Sequence, residues 1–130
     1  MADIKSVNVG GVTYNVAHAS AVDQKTLMHH IGTITAMHSA RGQVETIDSN
    51  MLIGVLLAIP EATFDAVAGI ALCKTVKHGS SETVDISQFQ GDMLNYHKLV
   101  AEAVKVNLSD FFTYLDDVNR SVRQQSARPQ

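Results

Sequence analysis

The sequence predicts a mainly α-helical fold: four to five helices with an N-terminal β-hairpin, a minor α+β arrangement. Three observations predict it. Apolar residues recur every three or four positions through most of the chain, which is the helical period. The pair Gly10-Gly11 stands between two short runs of alternating valines. Helix-boundary residues, Ser20, Pro60, Gly79 and Ser109, fall between the periodic stretches. A chain of 130 residues suits one domain and buries about 65–70% of its unfolded surface. Residues 1–118 are read as that domain and residues 119–130 as a flexible tail, since that stretch is polar, contains Pro129 and has no apolar period.

Each element has its own signal. In Val7 to Val16, Gly-Gly supplies the positive φ of a two-residue hairpin turn. This pairs Val9 with Val12 and Val7 with Tyr14, and puts all four with Val16 on one apolar face. A lone hairpin is marginal in water, so that face must rest on helices or on a partner. Ser20 reads as the N-cap of a helix from Ala21 to His38, with Leu27, Ile31, Ile34 and His38 on one stripe and Met28 beside it. Ser39 to Gln43 reads as a loop. Asp48 or Ser49 caps a second helix through Met51 to Ile59, apolar on every side and therefore expected at the centre. Pro60 ends it and opens a third helix, expected to reach Lys77, with Phe64, Val67, Ala68, Ala71, Leu72 and Val76 inward and Gly79 as its stop. Residues 80–87 read as a loop or a short third strand. A fourth helix is expected from Gln88 to Val106, with Phe89, Met93, Tyr96 or His97, Val100 and Val104 inward and Leu94 and Ala101 beside them. Ser109 caps a last helix to Val118.

The chemistry that the residues exclude is as informative. The net charge of -3 argues against nucleic acid, whose binders carry basic patches. The nine-residue apolar run is far short of the roughly 20 needed to span a membrane, and the first twenty residues lack the apolar core of a signal peptide. Gly10-Gly11 precedes a strand, so it is no phosphate loop. The six histidines match no metal-ligand spacing, so no metal or cofactor is expected. The lone Cys73 cannot form an internal disulfide and is expected to be buried and inert beside Leu72 and Val76. No catalytic constellation is present, and the chain is read as a non-enzyme. Asp116-Asp117 read as a solvated face.

Phe111-Phe112 follow the Ser109 cap directly. Neighbouring helical residues point about 100° apart, so one ring can enter the core with Leu108 and Leu115 while the other faces elsewhere. Two readings stand: both rings serve the core, or one serves the core and one an interface.

Taken together, the hairpin ending Gly-Val-Thr-Tyr-Asn-Val, the helix containing Lys-Thr-Leu-Met-His-His-Ile-Gly, Leu57-Ala58-Ile59-Pro60 with acids after it, Leu72-Cys73, Val84-Asp85-Ile86 and the closing Val106 to Phe112 make a recognisable order. The chain resembles the tail assembly chaperones of long-tailed bacteriophages from about Ile4 to Leu115. The resemblance implies a protein of the host cytoplasm that binds the tape-measure protein, keeps it soluble and helps to recruit tail-tube subunits. It implies no cofactor, and no nucleic acid or membrane as partner. Phe111, Phe112 and Leu115 are the partner contacts expected under it, with Leu108 in the core. A free hairpin edge and a surplus aromatic ring further suggest a homo-oligomer. The competing reading is a small structural virion protein, a tail or head–tail completion subunit.

Overall fold

The computed structural model describes residues 4–42 and 49–127. Strands β1 (Ile4–Val9) and β2 (Val12–Ala17) form the hairpin, followed by helices α1 (Ala21–Gly42), α2 (Ser49–Ala58) and α3 (Glu61–Ala71). A short strand β3 (Thr75–Lys77), a 3-10 helix (Ile86–Phe89), α4 (Met93–Asn107) and α5 (Ser109–Ala127) complete the chain.

The hairpin has the expected register, with Val9 opposite Val12 and Val7 opposite Tyr14. Gly10 and Gly11 have φ of 59° and 82°, the backbone that a two-residue turn of this hand requires. Gly10 also lies close to α4: a Cβ there would come within 2.5 Å of Asn95 Nδ2 and displace that side chain. The turn is seated on that helix. Val9, Tyr14 and Val16 are buried in the same cluster as Leu99, Val100 and Val104 of α4, so the hairpin's apolar face is covered within the chain.

α4 is the central element. It packs on α2, α3, β1, β2, the 3-10 helix and α5, and Tyr96, Leu99, Val100, Ala101, Ala103 and Val104 are all buried. The central place expected for α2 is therefore corrected. α2 buries Leu52, Val55 and Leu56 against α4 and α1, while Leu57 is 68% exposed. An all-apolar helix goes to the centre only if elements cover every side, and here α4, with a broad run of small and branched residues, occupies that place.

Four boundaries differ from expectation. α1 continues through Ser39 to Gly42 in place of a loop, while Gln43 and Asp48, like the side chain of His38, lie outside the described residues. α3 ends at Ala71, with Leu72 as its C-cap, and the expected continuation to Lys77 is instead strand β3. β3 pairs antiparallel with β2, Val16 opposite Thr75 and Tyr14 opposite Lys77. The β-branched pair Thr75-Val76 is poor in helix and suits a strand, and β2 offers unpaired backbone groups that need partners. Val84 N–H donates to Thr75 O at 3.0 Å, so the stretch after β3 folds back on it. Gly79, at φ 87°, turns the chain after β3 and does not stop a helix. The fourth helix starts at Met93, because Gly91 takes φ 78° after the 3-10 turn. α5 passes Val118 and runs to Ala127.

Capping follows the sequence at α1, where Ser20 Oγ accepts from Asp23 N–H at 3.2 Å. Ser49 stands at the first position of α2, and its hydroxyl donates to Glu102 Oε1 of α4, tying the two helices. At α5 the expected cap Ser109 is instead the first helical residue, and Asp110 Oδ1 accepts from the neighbouring Phe111 N–H at 2.8 Å.

Candidate partner-binding groove

An apolar hollow lies where α2 ends, α3 begins and α4 starts. The sharp turn at Ile59-Pro60 sends α3 away from α2, and the corner between them holds a hollow of about 300 Å³. Leu57, Ile59, Phe64 and Met93 supply its apolar walls, with Tyr96 and His97 at its floor. Leu57, Ile86 and Met93 are all exposed.

An aromatic row fixes that floor. Tyr14 and Phe89 stand with ring centroids 6.3 Å apart, Phe89 and Tyr96 5.5 Å, and Phe64 meets Tyr96 edge-on at 6.1 Å. His97 stacks on Phe64 at 4.9 Å. Its Nδ1 lies 2.8 Å from the Met93 carbonyl, which can only accept, so the proton sits on Nδ1. Ring contacts thus run from the sheet to α3 beneath the hollow, while Leu57 and Met93 at its walls are exposed.

A second hollow of about 310 Å³ adjoins the first and shares Asp65, Ile86 and Tyr96 with it. Leu72, Cys73, Val84 and Asp85 line its far end. The two make one trough along α3. Glu61, Asp65 and Asp85 stand on its lips, and among the described residues no lysine or arginine lines either hollow. The Tyr96 hydroxyl reports this environment: burial first, then the charges of Asp65 and Asp85, hold its pKa above the ordinary 10.0. Tyr14 is raised likewise, by burial and then by Asp92.

The residues singled out in the sequence lie elsewhere. Phe112, 5% exposed, and Leu115, 6%, are core residues with Leu108, since α5 packs that side on α1 and α4. As placed, Phe112 and Leu115 have almost no surface to offer a partner. Phe111 is half-buried, its ring over Gly32 of α1 and 5.6 Å from that of Phe112, at the side of a separate hollow of about 310 Å³ lined by Met28, Gly32 and Ala36. Cys73 is exposed, which corrects the expected burial: α3 ends two residues earlier, so Cys73 leaves the helix's inward face. Leu94, expected beside the core, is exposed at the first turn of α4. No group of three or more His, Cys, Asp or Glu among the described residues could hold a metal, and no helix among them is long and apolar enough to cross a membrane.

The trough itself was not anticipated. Its one signal in the sequence is an apolar run followed by Pro60, Glu61 and Asp65: a corner with apolar residues on one arm and acids on the other.

Comparison with protein-family models matches residues 10–119 to the phage tail assembly chaperone protein family, TAC. The chain belongs to that family. The matched span runs from the hairpin turn into α5 and contains the whole trough. Comparisons with curated proteins and with solved structures found no match. The family resemblance read from the sequence is thus shown by that match.

Proposed function

We propose that this chaperone binds apolar helices of the tape-measure protein in the host cytoplasm, keeps that protein soluble, and helps to recruit tail-tube subunits around it. The observation that carries the reading is the trough: an aromatic floor with exposed Leu57, Ile86 and Met93 at its walls, on a member of the tail assembly chaperone family. A helix laid in such a groove buries its own apolar stripe. Many modest contacts from several copies hold a long client and still release it, because avidity falls apart when the copies leave one by one.

Self-association belongs to the same proposal. β2 is covered by β3, which leaves β1 as an outer strand with no further strand paired to it among the described residues, and Tyr114 and Val118 on α5 are exposed. Both features support a homo-oligomer.

Co-expression tests the reading. The tape-measure protein is expressed alone and with the chaperone, and its soluble fraction and co-purification are measured. The expected result is a stable complex and a rise in soluble client. Absence of both overturns the proposal, and full copy number in mature particles replaces it with a structural virion protein.

A further inference from the structure

We infer that the trough selects amphipathic helices whose apolar stripe is flanked by lysine or arginine. The inference rests on the chaperone reading above and adds the chemistry of the segment that is recognised.

The floor and walls call for an apolar stripe. Phe64 and His97, both half-buried, stack on each other beside the buried Tyr96 ring, and Leu57, Ile86 and Met93 remain exposed around them. The lips call for positive charge. Glu61 and Asp65 stand on α3 and line the first hollow, and Asp85, from the segment before the 3-10 helix, joins Asp65 in lining the second. Asp65 and Asp85 line one hollow with Tyr96, and after burial their two charges also hold the Tyr96 hydroxyl above its ordinary pKa, so the lining carries negative charge. No cation among the lining residues offsets it. An incoming helix with acidic flanks would meet like charges at close range, and like-charge juxtaposition is how such surfaces reject wrong partners.

The shape calls for a helix. α3 has 11 residues, a length of about 16 Å, and the trough follows it. A client helix of about three turns matches that length.

Cys73 makes the inference testable without altering the protein. It is the single cysteine of the chain, it is exposed, and it lines the far end of the trough. Its alkylation rate reports occupancy. Two synthetic amphipathic helices serve as probes, with identical leucine stripes, one flanked by lysine and the other by glutamate. The lysine-flanked peptide should slow alkylation of Cys73 in the full chain several-fold, and raising the salt should weaken its binding. The glutamate-flanked peptide should leave the rate unchanged. In Asp65→Asn with Asp85→Asn, affinity for the lysine-flanked peptide should fall about three- to tenfold, the size expected for two partly screened ion pairs. Asparagine keeps the side-chain oxygen that accepts from Ser87 Oγ at 2.6 Å, and an unchanged melting temperature confirms that the variant is folded.

Equal binding of the two peptides, binding of neither, or binding indifferent to salt overturns the inference. So does protection of Cys73 that grows with chaperone concentration alone, which assigns the trough to a second copy. None of these results touches co-purification with the tape-measure protein, which is scored separately, so the two readings fail independently.

Discussion

The two ends of α4 are built from similar residues and have opposite fates. At its C-terminal end, Val104, Leu108, Phe112 and Leu115 close into the core, and Asn107 ties the closure together. Asn107 Oδ1 accepts from the Ala19 N–H at 2.7 Å, and its Nδ2 donates to Ala103 O at 2.9 Å. His18 Nε2 adds a bond to Val106 O at 3.1 Å. At the N-terminal end, Met93 and Leu94 are exposed beside Leu57 and Ile86. A buried polar bracket needs every atom partnered and so permits one arrangement of the chain. An apolar rim imposes no such demand and stays available to a partner. The closed end holds the fold, and the open end is the surface that can act.

That contrast can be broken at several points. The largest effect is expected at the paired rings: Phe112→Ala should cost about 3–5 kcal/mol as a core truncation, and half-buried Phe111→Ala about 1 kcal/mol, both read from chemical denaturation. Equal losses would mean that α5 packs differently. Next, Asn107→Leu should cost about 1–3 kcal/mol, because it strands the buried Ala19 amide. A change within error would show that the bracket is dispensable.

A pH titration compares the floor with the rest of the molecule. Tyr96 and Tyr14 have folded-state pKa values raised above 10.0. The unfolded chain therefore loses these protons first, and the stability present below pH 10 falls as the pH rises through the folded values. Tyr96→Phe should flatten that alkaline fall, and an unchanged slope would remove Tyr96 from the account. The smallest effect on stability is expected at the open end. Leu57→Ser should stay within about 0.5 kcal/mol, as exposed substitutions do, while reducing co-purification of the client. A large stability loss would place Leu57 in the core.

Part of this was legible in the residues. Gly10-Gly11 between alternating valines specified the hairpin and its register, because turn geometry and pattern agree locally. Ser20 specified the start of α1 in the same way. The paired rings announced that one of them would be core and that neighbours cannot face the same way, yet not which. The choice fell to Phe112 because α5 approaches α1 and α4 with that side, leaving Phe111 over Gly32. The groove was not legible, since its lining comes from residues 56 to 97 on four separate segments.

The sequence by itself determined the helical class, the hairpin, the Ser20 cap of α1 and the absence of a recognised catalytic motif, since each depends on residues a few positions apart. Only the tertiary structure decided that Thr75–Lys77 would leave the helix for the sheet, that Cys73 would be exposed, and that α4 would take the centre from α2. Those outcomes turn on which unpaired strand and which apolar face lie within reach once the chain has folded. Local propensities, worth about 1 kcal/mol or less per residue, yield to that competition.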